Sequence, residues 1–161
     1  MSARVAFYAV LAALAACSPM SADAGQKAAA TTAARHRVSG LEVVPLTIIS
    51  AGKRHRFRVE VARSDAEWSK GLMFRTEMGA DEGMIFVDRV PQTASFWMKN
   101  TVIPLDIVFV GTDRRILNIV ADAVPYSLTP RSSQGVASAV LELNGGRAAQ
   151  LGLAPGDRVD W

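Results

Sequence analysis

The segment Arg56-Phe57-Arg58-Val59-Glu60-Val61 alternates strictly between polar and apolar side chains, with Phe57, Val59 and Val61 on one face. A period of two belongs to a strand with one buried side, and a helix cannot satisfy it. The rest of the chain after residue 37 follows the same logic in short pieces. Leu41 to Ser50, Gly83 to Val87, Thr93 to Met98, Leu105 to Val110, Arg115 to Ala121 and Ala137 to Leu143 are apolar or alternating, and a last strand ends at Trp161. Turn chemistry separates them at Ala51-Gly52-Lys53, Gly111-Thr112-Asp113-Arg114 and Pro155-Gly156-Asp157. The period changes at Ser64-Asp65-Ala66-Glu67, a capping box, so a helix is predicted from there to about Met73. A second short helix is predicted over Gly146 to Leu151. The expectation is a mainly β (β-rich α+β) domain, a compact sandwich, jelly roll or small barrel with one or two short helices.

The N-terminal segment has a different character. After Arg4, Val5 to Ala16 is an apolar run of 12 residues, too short for a bilayer core that takes around 20 helical residues. It matches the apolar region of a cleavable signal peptide, here residues 1–16. Leu14-Ala15-Ala16-Cys17 places small residues before a cysteine, the pattern of a lipoprotein cleavage site at which the Cys17 thiol carries the lipid. Cys17 is the only cysteine, so no intrachain disulfide can form. Residues 17–37, rich in Ala, Ser, Thr and Gly, read as the lipidated cysteine and a flexible tether. Residues 38–161 read as one globular domain. The expected location is the periplasmic side of an envelope membrane, anchored by lipid. The outer membrane is favoured because Ser18, not an acid, follows the cysteine. The alternative is a soluble periplasmic protein cut after Ala22-Asp23-Ala24.

Charge narrows the partners. The chain has 18 basic and 15 acidic residues, net +3; loss of residues 1–16 removes only Arg4 and leaves +2. That balance gives no argument for nucleic acid. The only histidines are His36, in the tether, and His55, in the basic turn Lys53-Arg54-His55-Arg56. A histidine triad is excluded unless His55 folds inward, and so are thiol catalysis and a cysteine zinc site. No cofactor is implied.

Three further strings stand out: Gly71-Leu72-Met73-Phe74-Arg75; Phe96-Trp97-Met98-Lys99-Asn100-Thr101-Val102-Ile103-Pro104-Leu105-Asp106; and Leu141-Glu142-Leu143-Asn144-Gly145-Gly146 with Leu153-Ala154-Pro155-Gly156-Asp157. Together with Gly83-Met84-Ile85-Phe86 they resemble the family known as domain of unknown function 192, or uncharacterised protein family 0127. The resemblance spans about Leu41 to Trp161, and Phe96 to Asp106 is its most specific part. Ile85 stands where Leu is expected, a conservative departure. The resemblance implies a compact β-rich fold, often exported. It implies no activity and supplies no catalytic residues.

The candidate ligand-binding residues are Trp97, Lys99, Asn100 and Thr101, bordered by Arg75, Glu142 and Asn144. Polar groups beside an aromatic face are how sugar-like or peptide-like ligands are held. The competing reading makes Trp97 core and Asn100 a turn residue that satisfies backbone. Asp106 and Glu142 each interrupt an apolar strand. They are wet-face residues, or buried acids with partners such as Lys99 or Arg75, or, as the catalytic alternative, an acid/base pair acting on envelope glycan. Met73, Met78, Met84 and Met98 are either core or, as a second alternative, soft ligands for copper. The preferred reading is a non-catalytic binding or accessory domain of the cell envelope.

Overall fold

The computed structural model describes residues 34–161. The predicted signal peptide, Cys17, the Ala24 cleavage site and most of the tether lie outside the described residues. Nine strands and two short helices follow in the order β1 (Val43–Ser50), β2 (Lys53–Ala62), α1 (Asp65–Lys70), β3 (Glu82–Gln92), β4 (Ser95–Phe96), β5 (Leu105–Gly111), β6 (Ile116–Ala123), β7 (Arg131–Ser132), β8 (Ala137–Asn144), α2 (Arg147–Leu151) and β9 (Arg158–Asp160). The domain is mainly β, as its periodicity predicts. Two elements are shorter than expected. The helix ends at Lys70, where Gly71 caps it at φ 46°, and the Thr93 to Met98 segment keeps only two strand residues. Ahead of residue 38, Arg35 bridges Glu42, and the His36 ring lies 3.5 Å from the Glu60 carboxylate.

Seven strands form one sheet in the order β6-β5-β8-β3-β2-β1-β9, and β4 pairs with β7 beside it. All neighbours are antiparallel except β2 and β3, which run parallel because α1 carries the chain across between them. The edges meet at one end of the sheet. Arg115 bridges Arg158, the Ile116 N–H donates to the Asp157 carbonyl (2.9 Å) and the Val159 N–H to the Arg114 carbonyl (2.8 Å). The sheet thus curls into a small barrel with little free edge.

Both faces are buried along β5 and most of β8, and strand alternation sorts the core into two layers. Leu46, Phe57, Val59, Val61, Ile85, Val108, Leu141, Leu143 and Val159 fill the inside. Met84, Phe86, Leu105, Ile107, Phe109 and Val140 face outward and are covered by Trp68 and Leu72 from the α1 region and by Phe96 and Met98. Strand β5 is buried at every position.

Asp106 sits within this strand with no exposure. Its carboxylate partners are neither Lys99 nor Arg75. It accepts backbone N–H groups from Asp122 (2.8 Å), Gly146 (3.0 Å) and Ala148 (2.6 Å). One side chain therefore ties β6, the β8–α2 turn and the first turn of α2 to the central strand. Asp106→Ala leaves those amides short of an acceptor inside the protein, which costs roughly 3–5 kcal/mol. The expected result is a lower midpoint in denaturant unfolding; a cost under about 1 kcal/mol would show that water replaces the carboxylate.

Candidate functional site

The site begins with the short helix. Ser64 accepts the Glu67 N–H, and the Glu67 carboxylate accepts the Ser64 and Arg63 N–H groups (both 2.8 Å), so six residues hold a helical turn. At the other end Gly71 lies against Phe86. A Cβ there would stand 3.2 Å from the ring and would need a left-handed backbone. This close approach lets Trp68 reach Phe86 and Phe96 at ring-centre distances of 5.4 and 5.8 Å. Phe86 and Phe96 meet edge-to-face at 4.9 Å, and Phe96 continues to Phe109. Edge-to-face aromatic pairs of this kind add about 0.5–1.5 kcal/mol each beyond the area they bury.

Beside this aromatic layer lies a groove of about 350 Å³. Trp97, Lys99, Thr101 and Glu142, four of the residues singled out in the sequence, line it together, along with Lys70 from α1. Trp97 is half exposed, so it is not a core residue, and the Lys99 ammonium stands 5.3 Å from its ring centre. Thr101 is buried and donates to the Lys99 carbonyl (3.3 Å). Asn100 acts through the loop. It adopts φ 55°, its carbonyl accepts the Phe74 N–H (2.8 Å) and its amide reaches the Met73 sulfur (3.7 Å). Phe74 is itself at φ 62° and exposed, so two non-glycine residues hold a costly backbone at the margin of the groove.

Arg75 and Asn144 do not line the groove. Arg75 makes a two-pronged contact with the Glu60 carboxylate (2.9 and 3.1 Å), and Glu60 also takes Ser39 and His36 as partners. The Asn144 amide donates to the Met78 and Gly79 carbonyls (3.0 and 2.9 Å). Both side chains fix the 71–82 loop, which walls an adjoining cavity of about 880 Å³ that shares Lys70, Gly71 and Met73 with the groove. Glu60 is the residue that sequence reading passed over. Its signal was present, because the alternation that turns Phe57, Val59 and Val61 inward turns Glu60 outward.

Register decides the carboxylate pair. Asp106 is opposite Leu143, and Glu142 is opposite Ile107. Leu143 belongs to the inner layer and Ile107 to the outer one. The two acids therefore lie on opposite faces of the sheet and share no cleft. The acid on the same face as Glu142 is Glu60, with Met84 between them on β3. Met84 is buried, and Glu60 is held by Arg75. Of the other methionines, Met98 is also core and Met73 accepts the Asn100 amide. Among the described residues no group of three His, Cys, Asp or Glu side chains is placed to hold a metal ion, and no helix is long and apolar enough to cross a membrane.

The model of the DUF192 family, described as Uncharacterized ACR, matches residues 47–161. The chain belongs to this family. Among solved structures it is similar to a protein of unknown function from Novosphingobium aromaticivorans DSM 12444. The two are 59% identical, with a TM-score of 0.79, over 82% of this chain and 94% of that one. A protein from Sinorhizobium meliloti 1021, called a "putative transcription regulator", is 37% identical with a TM-score of 0.73, over 74% of this chain and 94% of the other. No curated protein matches the chain. The family description carries no activity.

The most unusual group in this DUF192 domain is Glu142. It is 4% exposed, and no described residue is a hydrogen-bond or ion-pair partner of its carboxyl. Loss of water pushes its pKa up to about 8. At neutral pH the groove thus contains an uncharged carboxylic acid, which can donate as well as accept. The folded state holds this proton over a pH range in which the unfolded chain has released it. The stability associated with the neutral acid is fully present below pH about 4.5 and is lost as pH rises through about 8. Glu142→Gln mimics the neutral acid at every pH. It is expected to flatten the fall in unfolding free energy between pH 5 and 9 and to stabilise the protein at pH 9 by several kcal/mol. Parallel pH profiles for the two proteins would show that Glu142 is solvated.

Proposed function

We propose that this chain is an exported, non-catalytic binding module of the bacterial cell envelope, lipid-anchored through Cys17, and that it holds its ligand in the groove of Trp97, Lys99, Thr101 and Glu142. The observation that carries the binding reading is the convergence of Trp97, Lys99 and Thr101, from one loop, with Glu142, from β8, on one aromatic-walled groove whose acid lacks a partner. A concave space lined by aromatic rings with a few polar groups is the usual form of a small-ligand site. Arg75, Asn100 and Asn144 support this site as positioning residues, each holding the loops that border it. The anchor rests on Leu14-Ala15-Ala16-Cys17 after a 12-residue apolar run. The outer membrane is the preferred destination, and soluble release after Ala24 is the alternative.

Thermal unfolding of the purified full chain against muropeptides, oligosaccharides and anionic lipid headgroups tests the groove. A ligand at about 100 times its dissociation constant adds roughly 2.7 kcal/mol and raises the midpoint by several degrees. Trp97→Ala is expected to abolish that shift; a shift that survives it places the ligand elsewhere. For the anchor, cells fed radiolabelled palmitate should label the wild-type chain and not Cys17→Ser, and the variant should leave the membrane fraction. Release of both the wild-type chain and the variant into the periplasm, with Gly25 as the first residue, would establish the Ala24 cut instead.

A further inference from the structure

The groove has a definite polarity. Its one carboxyl, Glu142, is nine-tenths buried and without a partner, while its two cations, Lys70 and Lys99, are exposed. The rings of Trp68, Phe86, Phe96 and Trp97 line the same groove. A buried acid among aromatic rings suits an ammonium group, which the carboxylate neutralises and the ring faces attract. The protein shows half of this chemistry already, since the Lys99 ammonium lies over the Trp97 ring at 5.3 Å. Exposed lysines bordering the same space suit an anion. A cation alone would meet repulsion from Lys70 and Lys99, and an anion alone would leave Glu142 unsatisfied.

We infer that the groove binds a small zwitterion, with a primary ammonium directed inward to Glu142 and a carboxylate or phosphate held outside by Lys70 and Lys99. This rests on the groove being a binding site and gives its ligand class. Binding has a proton balance. The neutral acid of Glu142 becomes a carboxylate beside the ammonium, and its proton passes to the buffer. The charged groups around Glu142 are few. Lys70 comes from α1 and Lys99 from the loop after β4. The Glu60–Arg75 pair lies across Met84 on β2 and the 71–82 loop, and the neighbouring β5 presents only Ile107. The His36 imidazole belongs to the Glu60–Arg75 cluster and does not line the groove, whose one carboxyl is that of Glu142.

Calorimetry on the purified full chain, in two buffers of different ionisation enthalpy, reads both affinity and proton release. The probes are β-alanine and phosphoethanolamine as zwitterions, n-butylamine as cation, butyrate as anion and methyl glucoside as a neutral sugar. A zwitterion is expected to bind at least about tenfold more tightly than n-butylamine or butyrate. It should release about one proton at pH 6.5 and close to none at pH 9. The better of the two zwitterions identifies the carboxylate or phosphate source. Glu142→Gln should remove the proton release and at least about tenfold of the affinity, and Lys99→Met should bring the zwitterion down toward n-butylamine. Equal binding of n-butylamine, binding without proton release, or undiminished binding by Glu142→Gln overturns the inference. Methyl glucoside binding that is lost in Trp97→Ala and releases no proton overturns the zwitterion while keeping the groove as a ligand site.

Discussion

A sheet whose central strands are buried on both faces sets the terms for this structure. Strand β5 has no exposed position, and β8 is nearly as deep. Such strands cannot rely on water to satisfy either face, so each face needs its own cover. The inner face covers itself by curling until β9 meets the start of β6. The outer face depends on imported material: a six-residue helix, the aromatic cluster around Phe86, and loops braced by Glu60–Arg75 and by Asn144. A helix that short is not stable alone and forms here because its cap and its packed tryptophan supply what length does not. The groove opens where this cover stops, between the end of α1 and the loop after β4.

The same geometry gives two similar acids opposite fates. Asp106 and Glu142 occupy equivalent places in apolar strands and lie one residue out of step across the β5–β8 pair. That offset turns Asp106 toward the barrel interior, where three backbone N–H groups wait at the β8–α2 turn and on β6. It turns Glu142 to the covered face, where aromatic rings line the groove and no described residue makes a hydrogen bond to its carboxyl. The first acid is a structural latch; the second remains neutral at ordinary pH. Composition, strand propensity and spacing along the chain are identical in kind for both, so only pairing register separates them.

Local chemistry was readable in the sequence where it is short-ranged. The alternation through Val61, the capping box at Ser64, the hairpin after Gly111 and the turn at Gly156 depend on neighbours within a few residues, and each is found where the sequence places it. What was not readable depends on partners distant in sequence. The parallel β2–β3 step, the β4–β7 ribbon, the Asp106 partners and the role of Glu60 all join segments separated by 15 residues or more. His36 illustrates the difference. A lone histidine in an alanine-rich segment looks like linker, yet it packs against a buried acid 24 positions later in the chain. For the candidate surface, Trp97, Lys99 and Thr101 were legible as a row because they are nearly consecutive. The addition of Glu142 to the same groove follows from tertiary packing.

That addition changes what the surface means. An exposed tryptophan beside a lysine and a threonine is common enough on protein surfaces to need no ligand. A buried carboxyl without a protein partner is different. Its desolvation is a standing cost to the fold at neutral pH and above, and exchange for glutamine or an apolar residue would relieve it without altering the strand pattern. Asp106 shows that this fold can satisfy a buried acid completely when the acid has a structural task. Glu142, on the neighbouring strand and one residue out of step, is left without a partner in a groove walled by rings. Under the proposed binding reading, what enters the groove accounts for a group that weakens its own fold.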